Sequence, residues 1–246
     1  MSNHFDNDRL FEEYNKMRMD KKNYTDNVEM PASLKLLPSR FDGLKILDAC
    51  CGFGKSSCYF ADNGADVVVG IDISEKMIEK ANKENCRSNT FYICSDISKL
   101  NPNSHIEFDI AYSSAAFHFV EDLDTMFKSI YNLLKKDGIF CFSMEHPIMS
   151  ANSDEKRWCY DKEGNISHYR LKDYFSETYR EHTWFSKDIP VSVYHRKMST
   201  IINLLIKNGF VIEEVYEPEP DKEKLEKIVY DLYATRPSTL VIKCKK

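Results

Sequence analysis

The sequence predicts an α/β fold built on a mostly parallel sheet, and three observations carry that reading. Over residues 44 to 145, short apolar runs alternate with amphipathic stretches. The first run leads directly into closely spaced glycines, in Leu47-Asp48-Ala49-Cys50-Cys51-Gly52-Phe53-Gly54. Regular apolar patterning then returns between Met198 and Cys244, after an aromatic interruption. Strands alternating with helices imply right-handed crossovers, and hence a parallel sheet covered on both faces.

The elements follow in order. Leu44 to Asp48 reads as a strand and Lys55 to Asn63 as a helix, closed by Asn63-Gly64. Ala65 to Asp72 is the next strand. Ser74 caps a helix reaching about Asn85, with Met77, Ile78 and Ala81 on one face. Thr90 to Cys94 and Phe108 to Tyr112 are further strands. Leu123 to Lys135 is amphipathic, with Met126, Phe127, Ile130, Leu133 and Leu134 inward, and Asp137-Gly138 turns the chain into Ile139 to Met144. Met198 to Asn208 is a helix and Phe210 to Tyr216 a strand. Asp221 to Leu232 is expected to be helical, and Pro237 to Cys244 forms a last strand in an antiparallel, hairpin-like return. Residues 148 to 196 show no period but carry Trp158, Tyr160, Tyr169, Tyr174, Phe175, Tyr179, Trp184 and Phe185. They read as an insertion, either a lid over a substrate or a flap packed for stability.

Bulk properties narrow the function. The chain has 246 residues, which suffices for one sizeable domain. No apolar run approaches the roughly 20 residues of a membrane span. The N-terminus lacks the charged-then-apolar order of a secretory signal, so a cytoplasmic location is expected. A net charge of −5 argues against nucleic acid as partner. The eight cysteines include no Cys-x-x-Cys pair, so reduced thiols and no metal site are expected.

The chemistry gathers at strand ends. Glycine lets backbone approach a ligand closely, and open α/β sheets bind ligands at the carboxyl ends of their strands. Asp72 ends the second strand, where a carboxylate can accept hydrogen bonds from both hydroxyls of a ribose. Asp96 follows the third strand, within reach of an adenine amine. A lone Gly-x-Gly turn is weak evidence, but three aspartates at successive strand ends are hard to obtain by chance.

Residues 46–54, Gly70-Ile71-Asp72-Ile73-Ser74, Ser95-Asp96-Ile97, Phe108-Asp109-Ile110-Ala111 and Leu134-Lys135-Lys136-Asp137-Gly138 resemble the successive motifs of class I S-adenosylmethionine-dependent methyltransferases. The resemblance covers about residues 41 to 145, and Cys50 stands where the usual first motif has a glycine. The flanks, including Glu29-Met30-Pro31, Glu145-His146-Pro147 and Tyr194-His195-Arg196, resemble a bacterial small-molecule subgroup.

The family implies a Rossmann-like three-layer sandwich, with a seven-stranded, mostly parallel sheet whose last strand is antiparallel. It implies one domain over residues 1–246. Residues 1–40 would cover the cofactor, 41–147 form the cofactor-binding core, 148–196 the insertion, and 197–246 the closing helix and strands. It implies S-adenosylmethionine as cofactor, with S-adenosylhomocysteine as product. Asp48, Ala49, Cys50, Gly52 and Gly54 would line the methionine part, Asp72, Ile73 and Met77 the ribose side, and Asp96 and Ile97 the adenine, with Ser113 and Ser114 below. Tyr14, Arg18 and Tyr24 would close over it, Arg18 gripping the carboxylate unless it is simply a solvated helix residue.

Transfer from a sulfonium needs alignment more than activation. A base helps if the acceptor is a hydroxyl or an acidic carbon. His118, His146 and His195 are the candidates, each also compatible with fixing a loop. The fourth strand ends in Ser113-Ser114-Ala115 and not in Asn/Asp-Pro-Pro-Tyr, the pattern of enzymes that methylate nucleic-acid amines. A small-molecule acceptor is therefore expected, with the chain a monomer or homodimer. Two other readings are a non-catalytic S-adenosylmethionine-binding module and a nicotinamide-dependent oxidoreductase, which would need glycine at Ser57.

Overall fold

A computed structural model of the protein describes residues 4–100, 106–152, 157–183 and 190–246. Trp184 and Phe185 of the aromatic insertion lie outside the described residues. The chain opens with α1 (Asp8–Met19), a π-helical turn (Thr25–Glu29) and α2 (Met30–Leu34). Then come β1 (Lys45–Ala49), α3 (Lys55–Asp62), β2 (Val67–Asp72), α4 (Glu75–Glu84), β3 (Thr90–Cys94), β4 (Phe108–Ser113), α5 (Leu123–Leu133) and β5 (Leu134–Glu145). After α6 (Pro147–Ser150) come β6 (Trp158–Tyr160), β7 (Ile166–Tyr169), β8 (Tyr179–Thr183) and β9 (Pro190–Tyr194). The chain closes with α7 (Met198–Lys207), β10 (Val211–Tyr216), α8 (Lys227–Tyr233) and β11 (Thr239–Lys245).

The main sheet has seven strands in the order β10-β11-β5-β4-β1-β2-β3. β11 runs antiparallel to both neighbours, and the other pairings are parallel. This is the expected Rossmann-like sandwich. The chain winds outward from β1 to β3, then returns to place β4 beside β1. That reversal opens a crevice at the carboxyl ends of β1 and β4.

Alternation along the strands divides the core between two faces. Leu47, Val69, Ala111, Phe140, Phe142, Leu240 and Ile242 point to the side covered by α5 and α7. Ile46, Val68, Ile110, Tyr112, Cys141 and Val241 point to the side covered by Phe41, Phe60 and α2. Each fully buried large side chain contributes roughly 1.5–3 kcal/mol.

Three expectations are corrected. The helix expected over Asp221–Leu232 is confined to Lys227–Tyr233. Asp221 takes the backbone N–H of Glu223 on its side chain and that of Lys224 on its carbonyl, forming a turn that competes with helix. Asp137-Gly138 is not a separate turn but a bulge inside β5, which begins at Leu134. Asp137 adopts φ 63°, and the pairing with β4 shifts from Phe108↔Leu134 to Ile110↔Ile139. The insertion is not irregular: β6 pairs with β7 and β8 with β9, each pair antiparallel. Strands this short show no period in sequence. The turn between β6 and β7 did leave a signal in Asp161-x-x-Gly164, where Asp161 accepts from Glu163 N and Asn165 N.

The turn after β1 depends on one glycine. Gly54 has φ +80°, and a Cβ there would lie 2.7 Å from Tyr92 Cζ and overlap its hydroxyl. The change Gly54→Ala should therefore destabilise the protein by about 1–3 kcal/mol in urea unfolding. A midpoint equal to wild type would show that Tyr92 moves aside freely.

Candidate active site

One cavity of about 590 Å³ opens at the crevice. Its floor comes from the ends of parallel strands: Cys50 and Gly52 after β1, Asp72 and Ile73 at β2, Ser114 to Ala116 after β4, and Met144 and Glu145 of β5. Because β11 is antiparallel, its start is the part that reaches this edge. Thr239 pairs with Glu145, and Ser238 and Thr239 line the cavity. Phe5, Tyr14, Met17 and Tyr24 form the N-terminal wall.

Backbone conformation shapes the floor. Cys50, where the usual motif has glycine, holds φ 59°, and Ala115 holds φ 50°. Non-glycine residues in this region cost about 1 kcal/mol or more each, and such strain gathers at ligand sites. Gly52 also has positive φ, and nothing lies within 4 Å of the position a Cβ would take.

Asp72 organises the turn. Its Oδ2 accepts from Gly52 N (2.9 Å) and its Oδ1 from Ser74 N (2.9 Å). The carboxylate also lines the cavity. Burial raises its pKa despite the backbone hydrogen bonds from Ser74, Gly52 and Ile73. Ser74 caps α4 by accepting from Met77 N, and its hydroxyl donates to Asp6 (2.6 Å).

Asp48 faces away from the cavity. Its carboxylate accepts from the buried Ser57 hydroxyl (2.6 Å), joining β1 to the first turn of α3. Burial pushes its pKa up to about 7. Ser57, at the position a dinucleotide fingerprint would give to glycine, is thus used structurally.

The expected site residues separate into two groups. Tyr14, Tyr24, Cys50, Gly52, Asp72, Ile73, Met77, Ser114 and His118 line the cavity. Arg18, Asp48, Ala49, Gly54, Asp96, Ile97, Ser113, His146 and His195 lie outside its lining. Ala49, Ile97 and Ser113 are core residues, and Gly54 abuts Tyr92. Asp96 caps the turn Ile97–Lys99 by accepting from Ser98 N (3.0 Å) and Ser98 Oγ (2.6 Å). Arg18 is not solvated. It is buried, paired with Asp26 (2.8 Å), and its carbonyl accepts from Lys55 (3.1 Å).

The histidines also divide. His195 is buried and uses both ring nitrogens, with Ser150 Oγ at 2.9 Å and the Tyr174 carbonyl at 2.8 Å. His146 pairs Nε2 with Glu217 (2.7 Å) and accepts from Ile148 N on Nδ1. Both rings thus make hydrogen bonds that fix loops, outside the cavity lining. His118 lines the cavity, but its Nδ1 accepts from Glu145 N (3.1 Å), and burial lowers its pKa to about 3. A neutral ring accepting on Nδ1 carries its proton on Nε2, so His118 offers a donor and not a base.

The cavity holds residues that sequence reasoning missed. Glu145 is half-buried, its pKa is pushed up to about 7, and its solvent-shielded Oε1 has no hydrogen-bond partner. His182 Nδ1 lies 3.9 Å from that oxygen. Burial lowers the His182 pKa to about 4, and its Nε2 is also unpartnered. Arg157, Trp158, Tyr233 and Arg236 complete this end. Glu145 could have been found, since it ends an apolar strand as Asp72 does. His182 and Arg236 come from distant segments and leave no local signal.

Residues 47–142 match the methyltransferase domain family. An uncharacterised protein of Haemophilus influenzae is 37% identical, over 98% of this chain and 96% of its own length. A solved S-adenosylmethionine-dependent methyltransferase from Mesorhizobium loti is 34% identical with a TM-score of 0.76, covering 88% of this chain and 96% of its own. The chain belongs to the S-adenosylmethionine-dependent methyltransferases. A proposed member from Listeria monocytogenes is likewise 34% identical, with a TM-score of 0.79 over 89% of this methyltransferase and 96% of that chain. The cofactor of the methyltransferase is S-adenosylmethionine, and the oxidoreductase alternative falls away. Among the described residues, no group of three or more His, Cys, Asp or Glu is placed to hold a metal, and no helix is long and apolar enough to cross a membrane. All eight cysteines are free thiols.

The raised pKa of Asp48 gives a signed prediction. A carboxyl whose folded pKa lies above its unfolded value stabilises most below the unfolded value, and that contribution is lost as pH rises through the folded one. For Asp48 the window runs from 3.8 to about 7. The stability of Asp48→Asn relative to wild type should therefore rise between those values and level off above. Urea unfolding of both proteins across this window checks it, and a constant difference would count against a protonated Asp48.

Proposed function

We propose that this methyltransferase acts on a small-molecule acceptor bound at the Glu145 end of the cavity, with the cofactor at the Gly52 end. The observation that carries this reading is the single cavity joining the two ends. Its volume falls within the roughly 300–1,000 Å³ of small-molecule sites. The net charge of −5 also suits a small acceptor better than a phosphate backbone.

The residues present fit the cofactor. Gly52 presents bare backbone, so the chain can be approached closely. The cavity-lining carboxylate of Asp72 suits the two ribose hydroxyls. Met77 and Ile73 supply an apolar side, and Tyr14 and Tyr24 cover the site from the N-terminal segment. Arg18 and Asp96 support these walls from behind: Arg18 through Asp26, which also binds Lys55 of α3, and Asp96 by capping the turn below β3.

When bound, S-adenosylmethionine supplies an electrophilic methyl group whose carbon–sulfur bond breaks with its electron pair left on sulfur. The acceptor contributes the lone pair that forms the new bond, and the proton it sheds needs a base. Glu145 takes that proton on the unpartnered Oε1. His118, neutral and bearing its proton on Nε2, donates a hydrogen bond and so orients the acceptor. The aromatic walls exclude water.

Two substitutions test the two ends. Asp72→Ala should weaken S-adenosylmethionine binding at least tenfold, about 1.4 kcal/mol, in calorimetry on a protein whose circular dichroism is unchanged. Unchanged affinity would remove Asp72 from the cofactor site. Glu145→Gln should lower kcat by about a hundredfold or more while cofactor affinity stays the same. The wild-type rate should rise with pH to a plateau above about 7, matching the Glu145 carboxyl. A glutamine variant that kept this pH dependence would assign the base elsewhere.

A further inference from the structure

The Glu145 end of the cavity contains a guanidinium that forms no ion pair among the described residues. Arg236 lies against three rings, its carbon centre 4.4 Å from the Trp158 centroid, 4.8 Å from Tyr169 and 5.6 Å from Tyr233. Nη1 donates to Ser238 Oγ (2.7 Å), and the buried Nε has no partner. Arg157 lines the same cavity. Among the described residues, no carboxylate oxygen comes within 4.0 Å of either arginine. The one carboxyl they both face is Glu145.

Other side chains fix the position of this cation. Trp158 packs edge-on against Tyr169 at 5.1 Å, and Tyr233 stacks on Tyr24 at 4.1 Å. The three rings that hold Arg236 are thus held themselves. A guanidinium kept in place, partly desolvated and short of one hydrogen-bond acceptor is a built receptor for an oxyanion, which it can grip with two parallel N–H groups. A surface arginine would instead be hydrated, and a structural one paired.

We infer that the methyl acceptor is an acid, carrying a carboxylate or a phosphate that docks on Arg236, with Arg157 adding a second positive charge. This deepens the reading above and rests on it. The docked anion would bring the rest of the acceptor between Arg236 and Glu145, placing its reactive hydrogen near Glu145 and His118. The arginines also bias the site against neutral compounds of the same shape, which would leave the guanidinium desolvated and unpaired.

The test uses the full-length protein saturated with S-adenosylhomocysteine. Benzoate, phenyl phosphate and the neutral benzamide are titrated, and calorimetry and tryptophan fluorescence are read, since Trp158 touches Arg236. At least one acid should bind ten times more tightly than benzamide or better, and the better acid identifies the anion. Arg236→Gln should abolish that preference while S-adenosylhomocysteine affinity stays at the wild-type value. Arg236→Lys, which keeps the charge, should retain part of it even if the glutamine variant folds poorly. Equal binding of acid and amide, no binding by either acid, or an intact preference in the glutamine variant overturns the inference. Loss of S-adenosylhomocysteine binding by the wild type would instead overturn the cofactor assignment, so the two failures are distinguishable.

Discussion

Backbone amides from two turns converge on one carboxylate, and much of the structure depends on that meeting. Asp72 accepts from Gly52 N across the turn after β1, and from Ser74 N at the start of α4. The first bond holds a left-handed turn against the end of the neighbouring strand. The second places the residue that caps α4. The first bond depends on the parallel register of β1 and β2, with Ala49 opposite Ile71, whereas the second is local, two residues along the chain. Sheet register, glycine turn and helix cap are therefore coupled through a single side chain, which also faces the cavity. The partial positive charge at the start of α4 further favours a carboxylate at this point.

The N-terminal segment is tied down by a second set of buried polar groups. Glu29 receives hydrogen bonds from Ser114 and Ser143, which lie at the ends of β4 and β5. Asp26 gathers Arg18, Asn23 and Lys55. Ser33 meets Tyr112 at 2.7 Å. Burial raises the pKa of Glu29. A segment held at this many points is a built wall of the cavity.

Whatever could be read from local spacing was legible in the sequence. The sheet, the Ser74 cap and the Gly52 turn all follow from patterns within ten residues of each other, and all are present. Misreadings arose where side-chain chemistry competed with pattern, as at Asp221, or where strands were too short to show a period, as at β6 to β9. The histidines show a different limit. His118, His146 and His195 are equivalent by sequence position at element ends, yet only the fold decides which ring faces a cavity and which is consumed by a serine, a carbonyl or Glu217. Glu145, His182 and Arg236 converge from three segments of the chain, and no window along the sequence contains them together.

The backward run of β11 has a consequence in time. The cavity residues proposed for the cofactor all precede residue 120, while Glu145, Arg157, His182 and Arg236 follow it. Thr239, which lines the proposed acceptor end, begins β11, and Lys246, just past that strand, donates to the Gly138 carbonyl of β5 far from the cavity. A chain emerging from the ribosome folds from its beginning. The end proposed for the methyl donor is therefore synthesised before the end proposed for the acceptor. Birth order separates the two, and the cavity is complete only when β11 lies between β5 and β10.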